Sequence, residues 1–508
     1  MKRHLLSISR VLSILMVCAS CDAFLEEEPK TFLSPDFYFQ SEAQVNAAVN
    51  GLYTFLDNCF DGDIGPGTQN YLFLEYLHGY GDRPYSSANT FLNQAINLSI
   101  KEDNSYVEKI WETNYKTIEN CNSILEGLQN LSPGLMSESA KNVRWGEVYF
   151  FRAYSYFNLV RLFGELPLKL SSTKNLSDTQ IALSSIDEVY TRIEKDLRSA
   201  DSLMVNHSWT SVEGRVAKGA VKAMLAKVYL TMAGYPLQKG TTYYQKAYEQ
   251  AAAVVAGAQF YLFDNYAALR NPANENSGEY IWMIQRERQY AGSPVHFNLL
   301  PYPEPAQPIS SAGSNGGALA PAPAFYNSYT AGDKRIEEKG FYYTKHETLA
   351  DPNVVVEFGR PYIYKFWDDA GAESGMSGRN YPLLTYADLL LTLAEARAQI
   401  DGGTTNHADA INAWFKVRNR ANPDEAKPAL LSADDILKER FWEICFEGQT
   451  WFDMVRTRKA FNVTTRNMVG LLGYNAPSHP EGHPFEEDDL LFPYPLREKR
   501  LNPNLVRN

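Results

Sequence analysis

Cysteine is scarce in this chain. Its 508 residues hold five: Cys18 and Cys21 near the start, then Cys59, Cys121 and Cys445 far apart. An odd, scattered set is not a disulfide framework. Cys121 and Cys445 fall within apolar helical patterns and read as small buried hydrophobes. Positive charge is in deficit as well: 48 Lys and Arg face 60 Asp and Glu, for a net charge of −12. Nucleic acid and anionic lipid both demand a basic footprint, so neither is expected as the main partner. Beyond the first residues no run reaches 18 uninterrupted apolar positions, the length a spanning helix needs. Catalytic and metal signatures are missing too. The eight His show no HExxH spacing, and there is no G-x-S-x-G, P-loop or paired CxxC motif. His479 and His483, in SHPEGHP, read as part of a surface turn. Asp57, Asp61 and Asp63, in DNCFDGDIGPG, lack the spacing and trailing Glu of an EF-hand loop. No metal and no cofactor is expected.

What the chain does have begins at its N-terminus. Lys2, Arg3 and Arg10 precede the short apolar run Val11–Val17, which Ala19 and Ser20 follow. That is the build of a secretory signal peptide, here residues 1–20. Cys21 stands just past the cleavage position, as in a bacterial lipoprotein, where the thiol takes the lipid and becomes the new N-terminus. Cys18 fits that role poorly, because bulky Met16 and Val17 precede it. Residues 21–40 read as a tether: Glu26–Glu28, Pro29 and Pro35 cannot make a core.

Residues 41–508 read as one large, mostly α-helical domain. Helical period runs through 41–56, 106–128 and 144–163, the last stopped by Gly164 and Pro167. Two alanine-rich helix pairs follow, 217–234 with 243–257 and 386–403 with 407–422. Small residues at fixed steps let paired helices approach closely, and the pairs resemble tetratricopeptide units. Between them, about 260–380 is rich in Gly, Pro, Ser, Asn and aromatics, with short strand-like runs at EYIWMIQR and RPYIYKFW. A loop region this long is functional or disordered, and its aromatics argue against disorder.

Residues 438–458 read KERFWEICFEGQTWFDMVRTR, with Glu439, Glu443 and Glu447 at steps of four on one helix face. Such carboxylates serve acid/base chemistry or sit in ion pairs; Arg440, Arg456 and Arg458 lie close enough in sequence to neutralise them. This stretch, as ERxxExxxEGxxxxDxxR, resembles the C-terminal signature of the SusD/RagB family of Bacteroidetes outer-membrane lipoproteins. CDAFLEEEP resembles the family's lipidated start. WETNYKTIENCNSILEGL, WGEVYFFRAYSYFNLVRLFGELPL, GRVAKGAVKAMLAKVYL and YADLLLTLAEA match family segments in order, and LFPYPLREKRLNPNLVRN resembles its close. The resemblance covers most of the chain; Cys18 in the lipobox and Tyr494 near the end depart from it. It implies a tetratricopeptide-like scaffold and a surface lipoprotein, lipid-anchored in the outer membrane. It also implies a partner, a SusC-like TonB-dependent transporter. Members bind oligosaccharide, or in some cases peptide, and are not enzymes. A lipoprotein glycoside hydrolase and a purely structural helical adaptor stand as alternatives; the first would need its carboxylates on an aromatic loop, and the second would need no aromatic loops at all.

Sugar binding without catalysis needs aromatic faces and polar groups for hydroxyls. Two loop stretches supply both. One, 70–91, carries Asp82, Arg83 and Tyr85 on a loop opened by Gly79 and Gly81; the other, 281–298, carries Trp282, Arg286, Arg288, Gln289, Tyr290, His296 and Phe297. Trp282, in a strand-like run, also fits a core position. Trp367, before a Gly-rich loop, is a third aromatic candidate.

Overall fold

The computed structural model describes residues 39–61, 70–84, 89–293, 295–301, 308–311 and 318–506. The signal segment, Cys21 and the tether up to residue 38 lie outside them.

Helices α1 (Glu42–Asp61), α2 (Asn70–Leu77), α3 (Thr90–Ile96), α4 (Ser105–Gln129), α5 (Glu138–Phe163) and α6 (Ile186–Leu203) form the first half. Helix α5 starts six residues before the apolar period is legible. Ser137 supplies the reason: its hydroxyl accepts the Ala140 N–H and caps a polar first turn. At the other end Gly164, at φ +75°, stops it. Helix α6 opens on a capping box, Ser185 with Glu188.

The second half builds on α7 (Lys218–Ala233), α8 (Thr241–Ala256), α9 (Tyr386–Ile400), α10 (Ala408–Ala421), α11 (Ala433–Glu443) and α12 (Thr450–Thr457). α7 buries thirteen of its sixteen residues and α9 twelve of fifteen, so both are central helices covered all round. Each pairs with its successor, and α8 packs on α9, so the two alanine-rich pairs stack although more than a hundred residues separate them. Ala247 and Ala251 on α8 and Ala394, Ala396 and Ala398 on α9 are fully buried, which permits that approach.

The intervening segment leaves the scaffold through a neck. Strand β1 (Tyr280–Ile284) pairs antiparallel with β4 (Tyr381–Thr385), which runs directly into α9. Beyond the neck, β2 (Tyr342–Glu347) and β3 (Val355–Ile363) form an antiparallel hairpin. It packs a small second core of Tyr343, Tyr362, Tyr364 and Trp367. This loop lobe is therefore ordered around aromatics of its own. The main core is continuous across both halves of the scaffold.

Candidate functional site

The loop lobe draws together segments far apart in sequence. After α2, Gly79 turns the chain at φ +69°; a Cβ there would stand 2.4 Å from that of Ala476. Gly81–Asp82 then pairs with Ala320–Pro321. The Asp82 carboxylate accepts from Arg360 of β3 at 2.7 Å and from the Arg83 N–H at 2.7 Å. Arg83 donates to Asn93 Oδ1 at 2.7 Å. Asp82 and Arg83 thus hold the base of this loop in place. Tyr85 lies outside the described residues, as do the side chains of His296 and Phe297.

Past β1 the chain makes a tight turn at 287–291. The Glu287 carboxylate accepts the N–H groups of Gln289 and Tyr290, both at 3.0 Å, and Ala291 N–H closes on Glu287 O at 2.7 Å. Arg288 donates to Met376 O at 3.2 Å and stands 3.7 Å from Asp368, which also accepts the Ser377 hydroxyl. Ser293 and Ser377 exchange backbone hydrogen bonds. These bonds tie the turn to the segment that carries Trp367. At its tip Gln289 is exposed and Tyr290 is 88 % exposed. An aromatic ring that open on a braced turn does no packing work.

Two tryptophans sit differently. Trp282 is 0 % exposed, with Phe150 and Tyr154 edge-on at 4.8 and 5.5 Å. All five residues of β1 are buried, so strand alternation exposes neither face, and Trp282 is core rather than a sugar platform. Trp367 is 5 % exposed. Its ring stacks on Tyr364 at 5.3 Å, lies against His346 and Tyr343, and donates to Asp369 at 2.8 Å. It is the keystone of the lobe's own core and not an open face. Arg360, Tyr343 and Tyr362, which hold this lobe together, escape sequence reasoning, because their partners are remote in the chain.

The carboxylate series ends differently from its sequence spacing. α11 stops at Glu443, so Glu447 lies beyond the helix. Each acid meets a cation, but not the sequence neighbours. Glu439 binds Arg335 (2.7 Å) and Arg418 (3.3 Å). Glu443 binds Arg420 (2.6 Å), Arg335 (3.0 Å) and the Tyr266 hydroxyl (2.9 Å). Glu447 binds Lys365 at 2.5 Å. Arg440 and Arg456 pair instead with Asp388, Glu395 and Asp453, joining α9, α11 and α12, and Arg458 pairs with Glu487. Because Arg335 and Lys365 come from the loop lobe, the first network fastens that lobe to the scaffold. Burial alone would raise the Glu443 carboxyl, but Arg420, Arg335 and Lys365 hold it below the usual range. Burial keeps Glu439 and Glu447 above it, against the pull of Arg335 and Lys365 respectively.

Among the described residues no cluster of three or more His, Cys, Asp or Glu is placed to hold a metal ion. His479 is buried, with Nε2 against Tyr76 O at 3.3 Å, while His483 is exposed; the turn is only half a surface one. Asp63, and the side chains of Asp57, Cys59 and Asp61, lie outside the described residues. Among the described helices none is long and apolar enough to cross a membrane. Cys121 and Cys445 are free and buried.

Residues 23–230 match a family model described as "Starch-binding associating with outer membrane", and 337–508 match that of the SusD family. A crystal structure of a SusD superfamily protein from Parabacteroides distasonis superposes with a TM-score of 0.83 at 31 % identity, over 92 % of this chain and 98 % of that one. The chain belongs to the SusD family. SusD-like protein P2 of Formosa agariphila is 27 % identical over 100 % of this chain and 99 % of its own. Surface glycan-binding protein A from Bacteroides uniformis shares the fold, with TM-score 0.74 and 20 % identity over 92 % of this chain and 99 % of that one. Within this SusD-family chain, the signature around Glu439–Gly448 is the fastening between scaffold and loop lobe.

Proposed function

We propose that this SusD-family chain is a surface lipoprotein, anchored to the outer membrane through Cys21, that binds oligosaccharide on the loop lobe. It hands the ligand to a SusC-like TonB-dependent transporter. The observation that carries the reading is Tyr290, 88 % exposed at the tip of a turn braced by Glu287, Arg288 and Asp368. A fixed, open ring suits the CH face of a pyranose, and Gln289 beside it offers donors and acceptors for hydroxyls. Asp82 and Arg83 anchor the loop that carries Tyr85, the second proposed platform. The starch-binding and outer-membrane wording of the matched family model supports both ligand class and location. A tethered binder without a channel works beside a transporter.

The chain acts as a binder and not a hydrolase in this reading. Support comes from the carboxylates of α11, which are buried and engaged by Arg335, Arg418 and Arg420. A screen of polysaccharides and oligosaccharides by affinity electrophoresis and calorimetry tests the proposal. One ring stacked on a sugar contributes about 1 kcal/mol, so Tyr290→Ala should weaken binding about fivefold. Melting should hardly move. Wild-type affinity in that variant, or a ligand set made only of peptides, would refute the assignment.

A further inference from the structure

A cavity lies in the scaffold, and none of its lining residues belongs to the loop lobe. It is a cleft of about 550 Å³ between the α3–α4 loop, α5, the start of α6, the α7–α8 turn, α12 and residues 487–493. Its volume falls in the range of ordinary small-molecule sites. Leu98, Ile100, Ile186, Phe452, Val455 and Leu491 supply apolar walls. Ser99, Tyr235, Pro236 and Glu487 are exposed, so the cleft opens to solvent on that side.

Two polar side chains in its lining are not used up by the fold. Arg161 lies between two rings, 3.8 Å from the centroid of Phe157 and 3.6 Å from that of Phe452. Its guanidinium donates to Phe157 O at 3.0 Å and Asn158 Oδ1 at 2.9 Å, both neutral acceptors. Among the described residues no carboxylate stands within ion-pair distance of it. The contrast with the other arginines of the cleft is plain. Arg456 is held by Glu395 and Asp453, and Arg458 by Glu487. Tyr190, 2 % exposed, also lines the cleft, and its hydroxyl has no hydrogen-bond partner among the described residues. A cation without a counter-ion and a phenol without a protein partner thus line the same cavity, where one anionic group could pair with both. Burial holds the Arg161 guanidinium down to about 10, while the nearby Tyr190 and Tyr154 phenols and Asp453 act the other way.

We propose that this cleft binds a monocarboxylate with an apolar body, its carboxylate on Arg161 and the Tyr190 hydroxyl. Charge selects a single anionic group: Asp488 and Asp489 at the rim disfavour a polyanion, whereas Arg161 offers one positive centre. The apolar walls select a hydrocarbon or aryl body over a sugar, which separates this site from the glycan site of the loop lobe.

The probe is decanoate, with decanol as its uncharged counterpart, titrated into the full mature protein by calorimetry and thermal shift. Decanoate should bind one per chain and raise Tm, and decanol should bind at least tenfold more weakly. Arg161→Gln should abolish the preference for decanoate. Tyr190→Phe removes one hydrogen bond to a charged group and should weaken decanoate about tenfold with the fold intact, which keeps the test informative should Arg161→Gln unfold. Tyr290→Ala should leave decanoate binding unchanged. No binding by wild type, equal affinity for decanol, or an unaltered decanoate affinity in Tyr190→Phe would each overturn the proposal.

Discussion

Replacing Glu443 by Gln removes one anionic centre from the network that fastens the loop lobe. In the native structure one carboxylate oxygen accepts from Arg335 (3.0 Å) and the Tyr266 hydroxyl (2.9 Å), and the other accepts from Arg420 (2.6 Å). A glutamine carbonyl can keep the first pair. Its NH2 must then face the Arg420 guanidinium, donor against donor, in a buried site. Arg420 keeps Glu279 and Arg335 keeps Asp333 and Glu439, so neither cation is stranded. Because neither cation is left uncompensated, the loss falls at the bottom of the range for breaking a buried ion pair from one side, about 3 kcal/mol. At about 2.1 cal/mol/K per residue, unfolding 508 residues carries roughly 1 kcal/mol/K, so Tm should drop by about 3 °C. Calorimetric melting measures this, and glycan affinity measured beside it should stay within about twofold, since the acid is buried in ion pairs and touches neither Gln289 nor Tyr290. The reasoning fails if Tm is unchanged. It fails equally if wild type releases reducing sugar and the variant does not, for Glu443 would then be a catalytic acid.

Further expectations follow from the same contacts. Burial depresses the His479 imidazole to about 4 from about 6.5, so the unfolded chain binds more protons between those values. Stability is then full above pH 6.5 and lost as pH falls towards 4, by about 3 kcal/mol for this group. Glu439 and Glu447, held above their usual range, act in the opposite sense, so melts of His479→Gln and wild type should be compared; parallel curves from pH 7.5 to 4.5 would exclude His479 as the source. Trp282→Ala should cost about 3–5 kcal/mol in denaturation and leave glycan affinity intact, because its ring packs on Phe150 and Tyr154; lost binding with unaltered stability would return Trp282 to the ligand site. Mass spectrometry of the membrane-extracted protein should find a mature chain that starts at lipidated Cys21. A chain retaining residue 18, or native membranes yielding the protein with no barrel partner, would count against the proposed anchoring and delivery.

By itself the sequence determined what local pattern can encode. The apolar period placed α1, α4 and the late helix pairs within a few residues, since a stripe at steps of three and four has one low-energy solution. Its ordered blocks also carried the family. Helix α6 escaped notice, although Ser185 and Glu188 spelled out its cap. Tyr290 was legible as an aromatic beside glycine, but its openness was not, because exposure is decided by what fails to pack against a residue. The converse held for Trp282 and Trp367: identical in kind to sugar platforms, they were claimed by Phe150 and Tyr154 and by the β2–β3 hairpin. The acids at steps of four announced ion pairs, yet only the tertiary structure chose Arg335, Arg418, Arg420 and Lys365 over the nearer arginines. Geometry is the reason. Arg440 is already taken by Asp388 and Asp453, from α9 and α12, so the cations for Glu439 and Glu443 arrive from other elements, and which element comes near is settled by packing of the whole chain.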